Sequence, residues 1–218
     1  SKRLPVIAGT GANSTEEAIF LTKSAKELGA DAALIVAPYY NKPPQEGLYL
    51  HFKKINDEVD IPQILYNVPS RTCSDIENET VVELSKLKNI IGIKDATGDL
   101  SRIENLKNKV ADNFLFYSGD DATACEFLKL GGHGVISVTA NIKPQEMSSI
   151  CQLNALGQFE EAININQKIS ELHDILFVES NPIPVKYLLN KMGLIKSGIR
   201  LPLIPLNPAH HKLFEKYV

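Results

Sequence analysis

Residues 90–98 read Ile-Ile-Gly-Ile-Lys-Asp-Ala-Thr-Gly, an apolar run that ends at a lysine and continues into a polar loop. Similar runs recur along the chain, and amphipathic stretches of helical period separate them. Because the apolar residues are continuous rather than alternating, they indicate strands that are buried on both faces. The rhythm predicts six βα units around a parallel sheet, and therefore the α/β class. The other runs are 6–8, 33–37, 63–66, 114–117 and 134–138.

The helical stretches carry their own start and stop signals. Ser14 and Glu17 form a capping box, and Gly29 is placed to end the helix that follows. Three stretches have an apolar stripe at helical spacing, which predicts a buried face for each helix. The stripes are Ala18, Leu21, Ala25 and Leu28; Leu48, Phe52, Ile55 and Val59; and Leu100, Ile103, Leu106 and Val110.

The pattern changes after residue 157, where the strand-like runs stop. A helical pattern begins at Phe159 and continues through Pro182 to Leu194, which predicts a small C-terminal helical domain over 158–218. The six βα units before it fit either an open doubly wound sheet or part of an eight-stranded barrel. Periodicity leaves this choice open, so the loop chemistry has to decide it.

The composition is that of a folded globular protein. The 218 residues are 44% hydrophobic and 22% charged, which supplies a sizeable core and argues against disorder. The formal net charge of -3 gives no electrostatic reason to expect a nucleic-acid partner. No apolar run approaches the roughly 18 residues of a membrane span, and the first residues lack the apolar region of a signal peptide. We therefore expect a cytoplasmic protein with no membrane partner.

The sequence gives no pattern for a metal or a nucleotide. Cys73, Cys125 and Cys151 are widely separated, and neither they nor the histidines have partners at metal-binding spacing. We interpret the cysteines as reduced thiols that pack in the protein. The glycine-rich segments 9–11 and 131–134 lack a complete phosphate-binding motif, so tight turns explain them better.

Lys94 is the strongest catalytic candidate, because functional side chains of parallel α/β proteins follow the carboxyl ends of the strands. At the end of a buried strand its amine would be desolvated, and a neutral amine can attack a carbonyl carbon. The alternative is a strand-end lysine that extends to solvent, and position alone does not separate the two interpretations.

Three other strand-end residues could assist such a lysine. Tyr66 and Tyr40 carry phenols that can relay the protons that imine formation requires, although a tyrosine by itself is more often a packing residue. Arg71 follows Pro69 in a loop and could hold a substrate carboxylate in a bidentate pair. An ordinary surface arginine is the alternative for Arg71.

Four ordered segments together resemble bacterial dihydrodipicolinate synthases, and the resemblance extends over essentially the whole chain. The match at 181–186 in the helical tail adds a fifth motif, and such a set is far more specific than any single pattern. The four segments are 4–13 (LPVIAGTGAN), 66–72 (YNVPSRT), 91–98 (IGIKDATG) and 131–138 (GGHGVISV).

The resemblance implies a (β/α)8 TIM barrel, of which residues 1–157 carry six βα units as the catalytic part, followed by the helical domain at 158–218. It implies that Lys94 forms an imine with pyruvate, that Tyr66 relays protons beside it, and that the product with L-aspartate 4-semialdehyde is 4-hydroxy-tetrahydrodipicolinate of lysine biosynthesis. The resemblance implies no metal and no organic cofactor.

The resemblance also assigns roles around the lysine. Tyr40 is expected to reach into a neighbouring subunit's site in a homotetramer built as a dimer of dimers, and Arg71 is expected to bind the carboxylate of aspartate semialdehyde. Gly119 and the Ile136 carbonyl are expected to line the pocket. A possible lysine effector site is expected at Asn13, Glu17 and Tyr39.

Two alternatives and one departure accompany the resemblance. Sialic acid lyases and keto-sugar-acid aldolases share the barrel and the lysine, but Arg71 and its loop favour the synthase. A non-catalytic metabolite-binding paralogue is the other alternative, and the intact Lys94 and Tyr66 count against it.

The family has about two more βα units before the strand at Val6, which complete the eight of the barrel. Without them, we expect the 218-residue sequence not to turn over substrate.

Overall fold

The computed structural model describes residues 4–218, which form two compact units. The first unit consists of the described residues up to Asp120 together with Leu130–Gly134, and the second consists of Asp121–Lys129 and Val135–Val218. The first unit carries the sheet strands that hold the candidate site, and the second is mainly helical.

Every predicted apolar run overlaps a strand, which confirms the α/β prediction. The six strands form one sheet whose order follows the chain, and consecutive strands from β1 to β5 pair in parallel. The sixth strand is shorter than the predicted run at 134–138, because the chain turns into a 3₁₀ helix at Thr139. The strands are β1 (Ile7–Gly9), β2 (Ala32–Val36), β3 (Gln63–Asn67), β4 (Ile90–Asp95), β5 (Leu115–Ser118) and β6 (Gly134–Val135).

Helices follow the strands as the βα pattern requires. Those of the first unit are α1 (Thr15–Glu27), α2 (Gln45–Glu58), α3 (Pro69–Thr72), α4 (Asn78–Leu84) and α5 (Ser101–Leu106). Those of the second unit are α6 (Ala124–Lys129), α7 (Pro144–Ala155), α8 (Phe159–Ile175), α9 (Ile183–Lys191) and two 3₁₀ helices, Thr139–Asn141 and Pro208–Tyr217.

Helix α1 begins and ends where the sequence predicts, but its apolar stripe is only partly buried. The Ser14 hydroxyl accepts a hydrogen bond from the Glu17 backbone N–H at 3.4 Å, and Gly29 has a φ of 88° after the last turn. Ala18 is fully buried, whereas Leu28 is 89% exposed, so its predicted burial is wrong. Within the sheet formed by residues 4–218 the adjacent β1 is an edge strand, and burial of a stripe requires a neighbouring element as well as the right spacing.

The stripe of α2 is buried as predicted, since Leu48, Phe52, Ile55 and Val59 are each at most 2% exposed. On α5, Ile103 and Leu106 are buried as well. These side chains cover the sheet on the side of the helices and stabilise the first unit by removing apolar area from water.

The second unit has its own apolar cores. One core surrounds Leu172, Leu188 and Phe214, all with 0% exposure, and another surrounds Ile150 and Ala162. Within the described chain, residues 158–218 contain helices and no strand. No helix of residues 4–218 combines the length and the apolar character needed to cross a membrane.

His51 generates a prediction about stability. It lies buried on α2, its Nδ1 is 2.9 Å from the Thr15 hydroxyl, and burial lowers its pKa from 6.5 to about 4. Between these values the unfolded chain binds a proton that the folded chain does not, so the folded state loses stability as pH falls from 6.5 towards 4. We expect this residue to contribute about 1–3 kcal/mol to the pH dependence of the unfolding free energy.

Denaturant titrations at several pH values measure this contribution. His51→Gln should flatten the dependence between pH 6.5 and pH 4. An identical pH dependence for His51→Gln and the unsubstituted protein would contradict the assignment.

Candidate active site

The side chains of Lys94 and Tyr66 lie against each other at the carboxyl ends of two adjacent strands. The register of β3 with β4 pairs the two residues directly, and the Lys94 Nζ lies 4.0 Å from the centre of the Tyr66 ring. Lys94 is 8% exposed and Tyr66 is half-buried. The structure therefore brings together the amine and the phenol that the sequence singled out.

The same register extends to the strands on either side. Tyr66 pairs with Val36 of β2, and Lys94 pairs with Tyr117 of β5. Because paired residues of parallel strands point to the same face, these four side chains form one row, which we call the Lys94 row. Sequence reasoning missed Tyr117, since an aromatic residue within an apolar run is typical of ordinary strand packing.

The environment of Tyr66 keeps its phenol protonated. Burial raises the pKa of Tyr66 above its ordinary value, and the positive charge of Arg71 partly opposes this rise. A tyrosine phenol is already protonated at neutral pH, so the rise reinforces the form that can donate a proton.

Gly119 lies directly against Lys94. Its backbone N–H donates to the Asp95 carbonyl at 2.7 Å, which continues the β4–β5 ladder beyond the last paired residues. A Cβ at this position would lie 2.7 Å from the Lys94 Cε and 2.8 Å from the Ala96 Cβ. The lysine side chain therefore occupies the space that the absent glycine side chain leaves.

Arg71 belongs to a short helix rather than to the loop that the sequence analysis expected. Pro69–Thr72 form a single helical turn, which ends at Cys73 in the left-handed conformation with a φ of 56°. The Thr72 hydroxyl donates to the carbonyls of Val68 and Ser74 and so fixes the turn. A turn of four residues is too short to show helical periodicity, which explains the error.

Tyr40 is 87% exposed and projects from a strained segment. Its φ of 77° is rare for a residue other than glycine, and its backbone N–H donates to the Thr72 carbonyl at 3.2 Å. The segment with Tyr40 is thus attached to the helical turn that carries Arg71. An aromatic ring held out in this way is available to another molecule.

Two of the three predicted effector residues lie in contact with each other. The Asn13 amide donates to the Tyr39 carbonyl at 3.2 Å, so these two lie together, and Glu17 is exposed on the first turn of α1. Ile136 follows β6 and belongs to the second unit, and its part in the pocket stays a prediction.

Residues 4–218 hold no group of three or more His, Cys, Asp or Glu side chains arranged for a metal ion.

The sequence model of the dihydrodipicolinate synthetase family matches residues 1–218. The chain belongs to this family. One of its curated relatives, 4-hydroxy-tetrahydrodipicolinate synthase of Alcanivorax borkumensis, is 59% identical over 207 residues, which cover 95% of this chain and 70% of the relative.

Solved structures of family members are similar over almost all of the chain. A chloride-inhibited dihydrodipicolinate synthase from Acinetobacter baumannii, complexed with pyruvate, is 56% identical with a TM-score of 0.97 and covers 99% of this chain and 74% of that chain. The enzyme from Cyanidioschyzon merolae with lysine bound is 40% identical with a TM-score of 0.93 and covers 98% and 72%. The parallel α/β sheet of this chain is therefore that of the dihydrodipicolinate synthetase family.

The contact between Gly119 and Lys94 generates a prediction for this family member. Gly119→Ala should displace the lysine side chain and slow its reaction with pyruvate by at least about tenfold, because small misplacements of a reacting group are costly. The rate at which borohydride traps pyruvate on Lys94 measures the effect. Gly47→Ala, on helix α2 away from the lysine, is the control and should react normally. A normal trapping rate for Gly119→Ala would contradict the expected displacement of the Lys94 side chain.

Proposed function

We propose that this chain is a 4-hydroxy-tetrahydrodipicolinate synthase, a lyase that condenses pyruvate with L-aspartate 4-semialdehyde in lysine biosynthesis. The observation that carries the proposal is the buried amine of Lys94 at 4.0 Å from the Tyr66 ring, in a chain of the dihydrodipicolinate synthetase family. A buried amine at a strand end, beside a protonated phenol, has the groups that imine chemistry needs.

The reaction begins with the attack of the Lys94 Nζ on the keto carbon of pyruvate. The carbinolamine that forms loses its hydroxyl group as water, for which a proton must be delivered to the departing oxygen. The Tyr66 phenol, which is protonated at neutral pH, is the donor beside the amine. The Tyr66 phenolate left by this donation can take a methyl proton from the imine, which gives an enamine whose carbon attacks the aldehyde of the second substrate. Attack of that substrate's own amino group on the imine carbon then closes the ring, releases the Lys94 amine and gives 4-hydroxy-tetrahydrodipicolinate.

The second substrate carries a carboxylate, for which Arg71 is the proposed partner. Its guanidinium acts on the electrostatics of Tyr66, and the arginine is exposed on the turn after β3. A guanidinium can bind a carboxylate through two parallel hydrogen bonds. We propose further that Gly119 and the carbonyl of Ile136 line the pocket for pyruvate.

The assembly is proposed to be a homotetramer, as a dimer of dimers, in the cytoplasm. The exposed ring of Tyr40, held out by a left-handed backbone, supports a role in a neighbouring subunit's proton relay. Residues 1–157 are proposed to belong to a (β/α)8 barrel and 158–218 to a helical domain. The parallel βα units before residue 157 and the helices after it support this division.

Lysine is the proposed effector, at Asn13, Glu17 and Tyr39. The hydrogen bond between the Asn13 amide and the Tyr39 carbonyl supports a shared site for two of these residues, and the Cyanidioschyzon merolae relative was solved with lysine bound. The carboxylate of Glu17 would supply the charge that an amino group requires.

The lysine chemistry is tested by trapping. Pyruvate with borohydride should attach a three-carbon adduct to Lys94, and peptide mass spectrometry locates it. Lys94→Met should abolish the adduct, whereas substitution of the exposed Lys88 should not affect it. An adduct on a different lysine would exclude the proposed mechanism.

Arg71→Ala tests the second substrate. Imine formation with pyruvate should remain nearly normal, while kcat/KM for aspartate semialdehyde should fall by a factor that corresponds to about 1.5–3 kcal/mol, the value of a charged hydrogen-bonded contact. Arg71→Lys, which keeps the charge without the paired donors, should recover part of the loss. Unaltered kinetics with the aldehyde would disprove this role and favour a related aldolase with another acceptor.

A further inference from the structure

A group of buried polar side chains lies behind the two catalytic candidates. Asn67 and Asp95 immediately follow Tyr66 and Lys94, and the β3–β4 register pairs them with each other. Because successive strand residues point to opposite faces, Asn67 and Asp95 point away from the Lys94 row, towards the helices. Asn67 is 0% exposed and Asp95 is 8% exposed, so both need partners within the protein.

Arg102 of α5 supplies the partner for Asp95. Its Nε donates to the Asp95 Oδ2 at 2.8 Å, and its Nη2 donates to the Ile76 carbonyl at 2.7 Å. The Nη1 lies 3.5 Å from the Asp75 carboxylate. The guanidinium therefore joins the end of β4 to the segment at residues 75–76, and its side chain is only 11% exposed.

Asn67 joins the end of β3 to the same segment. Its amide nitrogen donates to the Asp75 Oδ1 at 2.7 Å, and its amide oxygen accepts from the Ile76 N–H at 3.0 Å. The end of β3 is thus bound to Asp75 and Ile76 directly, and the end of β4 is bound to them through Arg102. We call Asn67, Asp75, Ile76, Asp95 and Arg102 the strand-end clamp.

The carboxylate of Asp95 depends on this clamp. Its Oδ1 accepts from the backbone N–H and the hydroxyl of Thr97, at 2.9 Å and 2.5 Å, and Arg102 supplies the positive charge. A buried carboxylate without its cation is strongly unfavourable, so loss of the guanidinium should make the end of β4 rearrange towards solvent. Lys94 precedes Asp95 on that strand and has to move with it.

We propose, on the basis of the synthase function proposed above, that Arg102 is a positioning residue for the imine chemistry. It touches neither reacting side chain. Its contacts hold the ends of β3 and β4 in the register that keeps the Lys94 amine beside Tyr66. A misplacement of about 1 Å can cost roughly a hundredfold in rate, so a clamp behind the strands controls the reaction in front of them.

Single-turnover trapping on the natural full-length protein tests the proposal. Arg102→Leu should slow the borohydride-trapped formation of the pyruvate adduct on Lys94 by about 10- to 100-fold, with the final extent of labelling unchanged. A variant that is merely partly unfolded would instead label at the normal rate to a lower final extent. At steady state, kcat should fall while KM for pyruvate changes by no more than about threefold.

Two further variants sharpen the test. Arg102→Lys keeps the charge but cannot reach Asp95, Asp75 and the Ile76 carbonyl together, so it should restore part of the trapping rate. Lys88→Met breaks the exposed ion pair with Asp60, away from the clamp, and should behave as the unsubstituted enzyme does.

The outcomes separate this inference from the proposed function. A folded Arg102→Leu variant that labels Lys94 at the normal rate would overturn the inference alone, whereas absence of the adduct in the unsubstituted enzyme would overturn both. If Arg102→Leu does not fold, Asp75→Ala decides, because Asp75 is about half exposed and its loss removes its contacts with Asn67 and the Arg102 Nη1 while the Arg102–Asp95 pair remains. This variant should label about three- to tenfold more slowly, and a normal rate would reject the clamp.

Discussion

The parallel register between β3 and β4 determines what this site can do. It pairs Tyr66 with Lys94 on one face and Asn67 with Asp95 on the other. A slip of one residue would turn Lys94 towards the helices and bring Asp95 to the reacting face, because side chains alternate along a strand. Ile64, Leu65 and Ile93 are all buried, and they resist such a slip because it would force each side chain into the packing space of the opposite face.

The two faces of these strand ends differ in their electrostatics. On the face of the Lys94 row, burial raises the pKa of Tyr66, and the charge of Arg71 opposes the rise. On the helix side, the buried charge of Asp95 is balanced by Arg102 and by hydrogen-bond donors from Thr97. The Lys94 amine therefore stands near the end of a strand whose opposite face carries a hydrogen-bonded polar network.

The sequence predicted the strands and the central lysine because both depend on local patterns. Continuous apolar runs are a strong signal for buried parallel strands, and Lys94 ends one of them. The exposure of Leu28 could not be predicted, because periodicity identifies an apolar face but not whether an element covers it. Tyr117 and Arg102 were missed for a related reason. Their importance comes from strand register and from contacts distant in sequence, which a single sequence does not reveal.

The central claim is that the Lys94 amine, held beside Tyr66 by this register, forms a covalent bond with pyruvate. The most direct measurement is a crystal structure of the natural full-length protein soaked with pyruvate. The account predicts continuous electron density from the Lys94 Nζ to the keto carbon, with the Tyr66 phenol in contact with the adduct. Density for an intact pyruvate bound elsewhere, with the Lys94 side chain unmodified, would contradict it.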